Sequence, residues 1–248
     1  MRVEARQVAD GVHLVHGART NWVIVRDGDA LTLVDTGYPA DRERLLASLA
    51  EVGGSPGAVT AVLLTHAHND HLGSAEFLRT EYGTPVLCHP AEAGHARREF
   101  LHQADVADVL PHVWRPGVLP WSVHALRAGG RKHVPVAEPT VVTPGEALDL
   151  PGAPVPVPTP GHTLGHCAFA LPGAGVVISG DALVTGHPTS RLRGPQLLPG
   201  MFHHDRAAAL ASLERFTELD GDLLLPGHGP AHRGPIAETA ARAHRAAF

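Results

Sequence analysis

The sequence has little lysine, little cysteine and no long apolar run, and each shortage closes off a class of protein. Lys132 is the single lysine, and 20 basic residues against 25 acidic ones leave a formal charge of −5 over 248 residues. Such a balance offers no basic footprint for a polyanionic backbone, so no nucleic-acid partner is expected. The two cysteines, Cys88 and Cys167, cannot build a disulfide framework, and a reducing compartment is the easier reading. No apolar run approaches the roughly 20 residues of a membrane span, so no membrane partner is expected. The opening MRVEARQVADGVHLVHG is interrupted by Arg2, Glu4, Arg6 and Asp10. That leaves no apolar region for a signal peptide, and the expected location is cytoplasmic.

Histidine, by contrast, is abundant. The chain carries 19, far more than packing requires, and this directs attention to metals. With 44% hydrophobic residues the chain is able to bury a sizeable core, and the expectation is one domain over 1–248.

Hydrophobic periodicity predicts short strands at Val3 to Val8, Val12 to His16, Trp22 to Arg26 and Ala30 to Val34, joined by Gly and Asp turns. Leu45, Leu46 and Leu49 set a helix over Asp41 to Val52, which Gly53-Gly54 stops. Val59 to Leu64 is apolar and too short for a helix, as expected of a strand covered on both faces. A helix at Gly73 to Tyr82 and a strand at Pro85 to Cys88 follow. Residues 91–140 read as a helical, proline-punctuated insertion holding five histidines and two of the three tryptophans. Trp114 and Trp121 would either line a lid or anchor the insertion to the body. Strands resume at Thr140 to Val142, Val155 to Thr159, Cys167 to Leu171 and Val176 to Ser179. A helix over Arg206 to Glu218 with Asp205 as N-cap, a strand at Leu223 to Leu225 and a helix over Ile236 to Ala246 close the chain. Strands then helix, given twice, argue for two packed sheets flanked by helices, an α/β (α+β) fold.

The chemistry sits at predicted strand ends, where loops present side chains from a rigid scaffold. Directly after the buried strand comes Thr65-His66-Ala67-His68-Asn69-Asp70-His71, four potential ligands in six residues. Imidazole suits zinc, and a carboxylate adds charge balance. Three further pieces follow: His162 in TPGHTLGH, Asp181 in SGDA and His228 in LPGHG, each beside a glycine that permits close backbone approach.

In order and local context these residues resemble the HxHxDH signature, and the later His, Asp and His, of the metallo-β-lactamase superfamily. Val34-Asp35-Thr36-Gly37 looks like that family's strand-end DTG turn. The resemblance implies a four-layer αββα sandwich with the site at one edge of the two sheets. It implies one metal held by His66, His68 and His162, another by Asp70, His71 and His228, and Asp181 bridging them. It further implies two zinc ions per chain, with iron or manganese as alternatives, and a shared hydroxide that attacks an acyl carbonyl. Asp70 takes a second, catalytic task, orienting or accepting a proton. Asp35 is read as a hydrogen-bond acceptor and turn former, and His166 as a locally bonded residue. His187, His203 and His204 are the substrate-binding candidates, because the loop after Asp181 should pass near the metals.

Among relatives, TPGHTLGH and LPGHG look most like glyoxalase II, the homoserine lactonases and broader ester or thioester hydrolases. Two departures matter. Few residues follow His228, so the C-terminal helical part that binds glutathione in glyoxalase II is not expected. Tyr38 and Tyr82 are the only tyrosines, and neither follows the bridging Asp, where the lactonases place theirs. The expected reaction is cleavage of a small ester or thioester, with a small-molecule acyl substrate as partner. The alternatives are a lactonase or β-lactam hydrolase, a mononuclear iron persulfide dioxygenase, a phosphodiesterase and a metal-retaining non-enzyme.

Overall fold

The computed structural model describes residues 4–247, so the expected strand start at Val3 lies outside the described residues. One seven-stranded sheet runs β1 (Ala5–Ala9), β2 (Val12–His16), β3 (Asn21–Asp27), β4 (Ala30–Val34), β5 (Val59–Leu63), β6 (Val86–Cys88), β7 (Thr140–Val141), in that order. Its first four strands form an antiparallel meander, and β4 to β7 pair in parallel. The second sheet contains β8 (Val155–Pro158), β9 (Cys167–Leu171), β10 (Val176–Gly180), β11 (Leu223–Pro226) and β12 (His232–Arg233), in the order β12-β11-β10-β9-β8. The short β12 has no periodic signal in the sequence. Only its pairing with β11 defines it.

Among the described residues the eight α-helical elements are α1 (Arg42–Glu51), α2 (Asn69–Leu72), α3 (Ala75–Tyr82), α4 (Ala93–Ala96), α5 (Val106–Val109), α6 (Val118–Ala128), α7 (Arg206–Thr217) and α8 (Ile236–Ala246). Asp205 caps α7 as expected, its carboxylate accepting from the Ala208 N–H at 2.9 Å. The helix expected from Gly73 begins at Ala75 instead, and a separate turn, α2, carries Asp70 and His71. Gly73 is pressed against the Gly37–Pro39 backbone and makes the bend between the two.

Alternation along the strands decides the layering, because successive side chains face opposite sides of a sheet. Val23 and Val25 of β3 meet Phe169 and Leu171 of β9, Ile178 of β10, and Leu223 and Leu225 of β11 in the core between the sheets. Trp22 and Ile24 point the other way, onto Leu45 and Leu49 of α1 and Leu78 of α3. Ala168, Val177 and Leu224 do the same on the far side, against Leu213 and Phe216 of α7 and Ile236 and Ala240 of α8. The result is the four-layer αββα sandwich. Each fully buried Leu or Phe in it is worth roughly 1.5–3 kcal/mol over an exposed one. No helix of the described residues is long and apolar enough to cross a membrane.

Candidate metal centre

Five loops leave strand ends on the same edge of the sandwich. They follow β4, β5, β8, β10 and β11, and they carry Asp35, His66 to His71, His162, Asp181 and His228. Backbone hydrogen bonds lace this edge together: Cys167 N–H to Thr65 O at 2.8 Å, Asn21 N–H to Gly227 O at 2.8 Å, and Gly227 N–H to Gly180 O at 2.9 Å. A Cβ at Gly227 would run into Asp181 Oδ1 and the His71 ring, so only glycine lets the last loop close over the site.

All seven residues singled out as ligands converge. Their donor atoms form three overlapping triads with mutual separations within 4.8 Å: His66, His68 and His162; His66, His71 and Asp181; and Asp70, His71 and His228. His68 Nδ1 lies 3.0 Å from both His66 Nε2 and His162 Nε2. Asp181 reaches across, with Oδ1 3.4 Å from His71 Nε2 and Oδ2 3.4 Å from His162 Nε2 and 3.2 Å from His228 Nε2. Asp70 Oδ2 is 3.5 Å from His228 Nε2.

Four of the five imidazoles are fixed by what their other nitrogen does, whereas His162 Nδ1 is buried without a partner among the described residues. His71 Nδ1–H donates to Asp35 Oδ2 at 2.8 Å, and Asp35 also accepts from the Thr65 N–H at 2.8 Å and its hydroxyl at 2.7 Å. Asp35 does this from a left-handed backbone, φ 62°, so the turn and the acceptor are one device. His66 Nδ1–H donates to the Thr65 hydroxyl at 3.0 Å, His68 Nε2–H to the His102 carbonyl at 2.6 Å, and His228 Nδ1–H to the Arg19 carbonyl at 2.7 Å. The remaining nitrogens therefore present lone pairs inward. His71 Nε2 and Asp181 Oδ1 are buried with no hydrogen-bond partner among the described residues. Buried polar atoms left so are rare, and a divalent cation satisfies this set of neutral imidazoles and carboxylates.

The titratable groups of the centre fall into two sets, those held ionised by their neighbours and those held neutral by burial. Burial alone would raise the Asp70 carboxyl, yet His71 and His228 outweigh it and hold it at about 2. Burial opposes a proton on His228, but Asp181 and Asp70 push it up to about 10, and His71 is raised by the same carboxylates with Asp35. Burial and neighbouring histidines hold His66 and His162 well below the ordinary imidazole value.

Several contributors lack any motif of their own. Glu92, fully buried at the end of a 3-10 turn over Pro90–Glu92, accepts from Ala67 N–H at 2.8 Å, His95 Nδ1 at 2.7 Å, the Thr163 hydroxyl at 2.8 Å and Gly165 N–H at 3.0 Å. One carboxylate thus ties the His66–His68 loop to the His162 loop. Asn21 donates to the Pro226 and Gly229 carbonyls at 2.9 and 2.8 Å, clamping the His228 loop from the other sheet. His166, as expected, bonds locally: Nδ1 meets the Thr159 hydroxyl at 2.8 Å and Nε2 accepts from the Asp181 N–H at 3.0 Å. Tyr38 follows the DTG turn, not Asp181, yet it is buried and lines the same cavity as Asp70, and burial with the Asp70 and Asp181 carboxylates pushes its hydroxyl above the ordinary phenol value. A tyrosine therefore reaches the centre from a different loop than the resemblance suggested.

Above the donors lies a cavity of about 230 Å³, lined by Tyr38, Asp70, Asp181 and His228 on its floor and by α5, α6 and Phe202 on its walls. His187 lines it, edge-on to the His228 ring at 4.9 Å. His203 and His204 are not among its lining residues. The His203 ring turns back to the Leu198 carbonyl at 3.0 Å, and His204 stacks on His102 at 3.9 Å. The two tryptophans divide as well: Trp121 lines the cavity, whereas Trp114 stands 74% exposed.

A family profile described as the metallo-beta-lactamase superfamily matches residues 17–228, a span that holds every residue of this centre. The chain belongs to that superfamily. Its members are metal-dependent hydrolases. The chain is 30% identical over 214 residues to metallo-beta-lactamase domain-containing protein 1 of Xenopus laevis, covering 85% of this chain and 71% of that protein. It is 28% identical to a hydroxyacylglutathione hydrolase of Acidiphilium cryptum, over 83% of this chain and 62% of that enzyme. A metallo-beta-lactamase family protein from Thermus thermophilus superposes with a TM-score of 0.67 at 26% identity, covering 94% of this chain and 78% of that one. A divalent metal is therefore the group these residues are suited to hold.

Proposed function

We propose that this superfamily member is a two-zinc hydrolase of small carboxylic esters or thioesters. The observation that carries the reading is the convergence of three donor triads at the floor of one cavity. Divalent ions supply Lewis-acid polarisation of a carbonyl and a water acidic enough to attack near neutral pH. His66, His68 and His162 would hold one ion, Asp70, His71 and His228 the other, with Asp181 between them. Asp35, Thr65 and the Arg19 and His102 carbonyls keep the imidazole lone pairs aimed inward without reorganisation at each turnover. Asp70 faces the cavity. Its task is to orient the attacking water through a hydrogen bond. His187 meets the substrate from the side wall.

The similarity to a hydroxyacylglutathione hydrolase supports thioester chemistry. A polynucleotide substrate is disfavoured because Arg131 is the one Arg or Lys lining the cavity. The two buried free thiols suit a reducing, cytoplasmic setting. Elemental analysis of the purified chain, with a panel of thioesters, esters, lactones and phosphodiesters assayed before and after chelation, tests the reading. About two zinc ions per chain and chelator-sensitive acyl hydrolysis are expected. One iron with oxygen uptake on a persulfide would replace the reading with the dioxygenase.

A further inference from the structure

Acyl hydrolysis needs a polar floor, but it does not need an apolar wall whose edges stand in water. Of the twelve large hydrophobic side chains that are exposed among the described residues, eight fall between Phe100 and Leu126. Three of these, Val106, Leu110 and Leu126, are 55–61% exposed and also line the cavity over the candidate metal centre. Val113, Trp121 and Leu198 continue the same apolar lining inward. Scattered exposed hydrophobics mean little, but a cluster around a concave site marks a binding surface.

We propose that the substrate carries an uncharged, apolar acyl chain of medium length, laid along this wall with its carbonyl at the floor beside Asp70 and Asp181. This rests on the acyl-hydrolase reading and narrows it. The occupant follows from continuity: one cavity is lined by both the wall residues and the candidate ligands His68, His162 and His228. Its polarity follows from the lining, which offers Arg131 alone as an Arg or Lys for a carboxylate or phosphate on the distal end of the substrate. Its length follows from the volume. At about 230 Å³ the cavity is smaller than the roughly 300–1,000 Å³ of pockets that enclose drug-sized ligands. A medium chain fills it, and a longer one runs out past Leu110 and Leu126.

The experiment is a 4-nitrophenyl ester series from acetyl to decanoyl on the zinc-loaded full chain. Each methylene placed on the wall contributes at most about fourfold in binding. The expected kcat/KM rises at least about tenfold from acetyl to octanoyl, well inside the ceiling that about fourfold per methylene sets, mainly through KM, and levels off beyond it. Leu110→Asp and Leu126→Asp should each cut the octanoyl-to-acetyl ratio about tenfold. Val141→Asp, equally exposed but away from the cavity, should leave that ratio alone. The two wall positions are 61% and 58% exposed, so unaltered melting temperatures are expected and would exclude misfolding. Calorimetric binding of octanoate gives a readout without turnover, with about tenfold weaker binding expected for Leu126→Asp. A flat series in an enzyme that cleaves the acetyl ester overturns the apolar substrate while leaving the hydrolase reading intact. Failure to cleave any acyl compound removes the hydrolase reading itself, and this proposal with it. A flat series accompanied by a dimer that Leu110→Asp dissociates overturns it too, and assigns the wall to a second copy of the chain.

Discussion

The loops that carry the candidate ligands and the segment that roofs them follow opposite rules. In the ligand loops polar groups are buried and their supports are hydrogen-bonded: Asp35, Thr65 and His166, with Asn21 of β3 beside them, are all below 6% exposed and all have partners. In the segment from Phe100 to Leu126 apolar groups are exposed, both on the short α5 over Val106–Val109 and on α6. The first arrangement holds donor atoms to a fixed geometry. The second leaves apolar surface for something else to cover. Glu92 stands at the joint, since it leads into the roof but bonds only with its base and the ligand loops.

Four experiments break or sharpen this contrast. The largest effect is expected at a ligand: His66→Ala should lower acyl hydrolysis on the order of 10³-fold, since metal polarisation is worth several kcal/mol, with reduced zinc content measured alongside. Next is Glu92. Its carboxyl would be raised by burial, but His95, Ala67 and Thr163 bring it down to about 2, below the ordinary 4.5. A depressed carboxyl stabilises the fold above its unfolded value and loses that contribution as pH falls from about 4.5 towards 2. The loss should be about 3 kcal/mol in urea denaturation across that window, and Glu92→Gln should start lower and show a flatter profile.

A smaller effect is expected where the support is indirect. Asp35→Asn disturbs the orientation of His71 without removing a ligand, and should weaken zinc binding about 10- to 100-fold in competition with a chromogenic chelator. The smallest is Trp114→Ala in the roof. At 74% exposure the substitution should change stability by no more than about 0.5 kcal/mol, and a larger loss would mean that the segment packs as tightly as the ligand loops do.

Much of this molecule can be read in one dimension. The strands from β2 to β4, helices α1, α7 and α8, and the layering all follow from local periodicity. Asp35 as an acceptor and His166 as a local partner are legible because they sit inside motifs. Glu92 is not, since HPAEAGH looks like any helix start. Its four donors come from Ala67, His95, Thr163 and Gly165, which only the fold brings to one point. Tyr38 gives no local signal either, because its loop lies far along the chain from Asp181, although their side chains share one cavity. His203 packs edge-on to His162 at 5.8 Å and His204 stacks on His102, and neither lines the cavity.

The sequence by itself determined the family, the two-sheet architecture and the seven convergent donors, because strand-end motifs and period-two alternation are local signals that survive without coordinates. The tertiary structure alone decided which nitrogen of each imidazole faces inward, which carboxylate braces the loops, and which hydrophobic side chains stay uncovered above the site. Those depend on contacts between residues far apart in the chain, such as Arg19 with His228, and no local pattern encodes them.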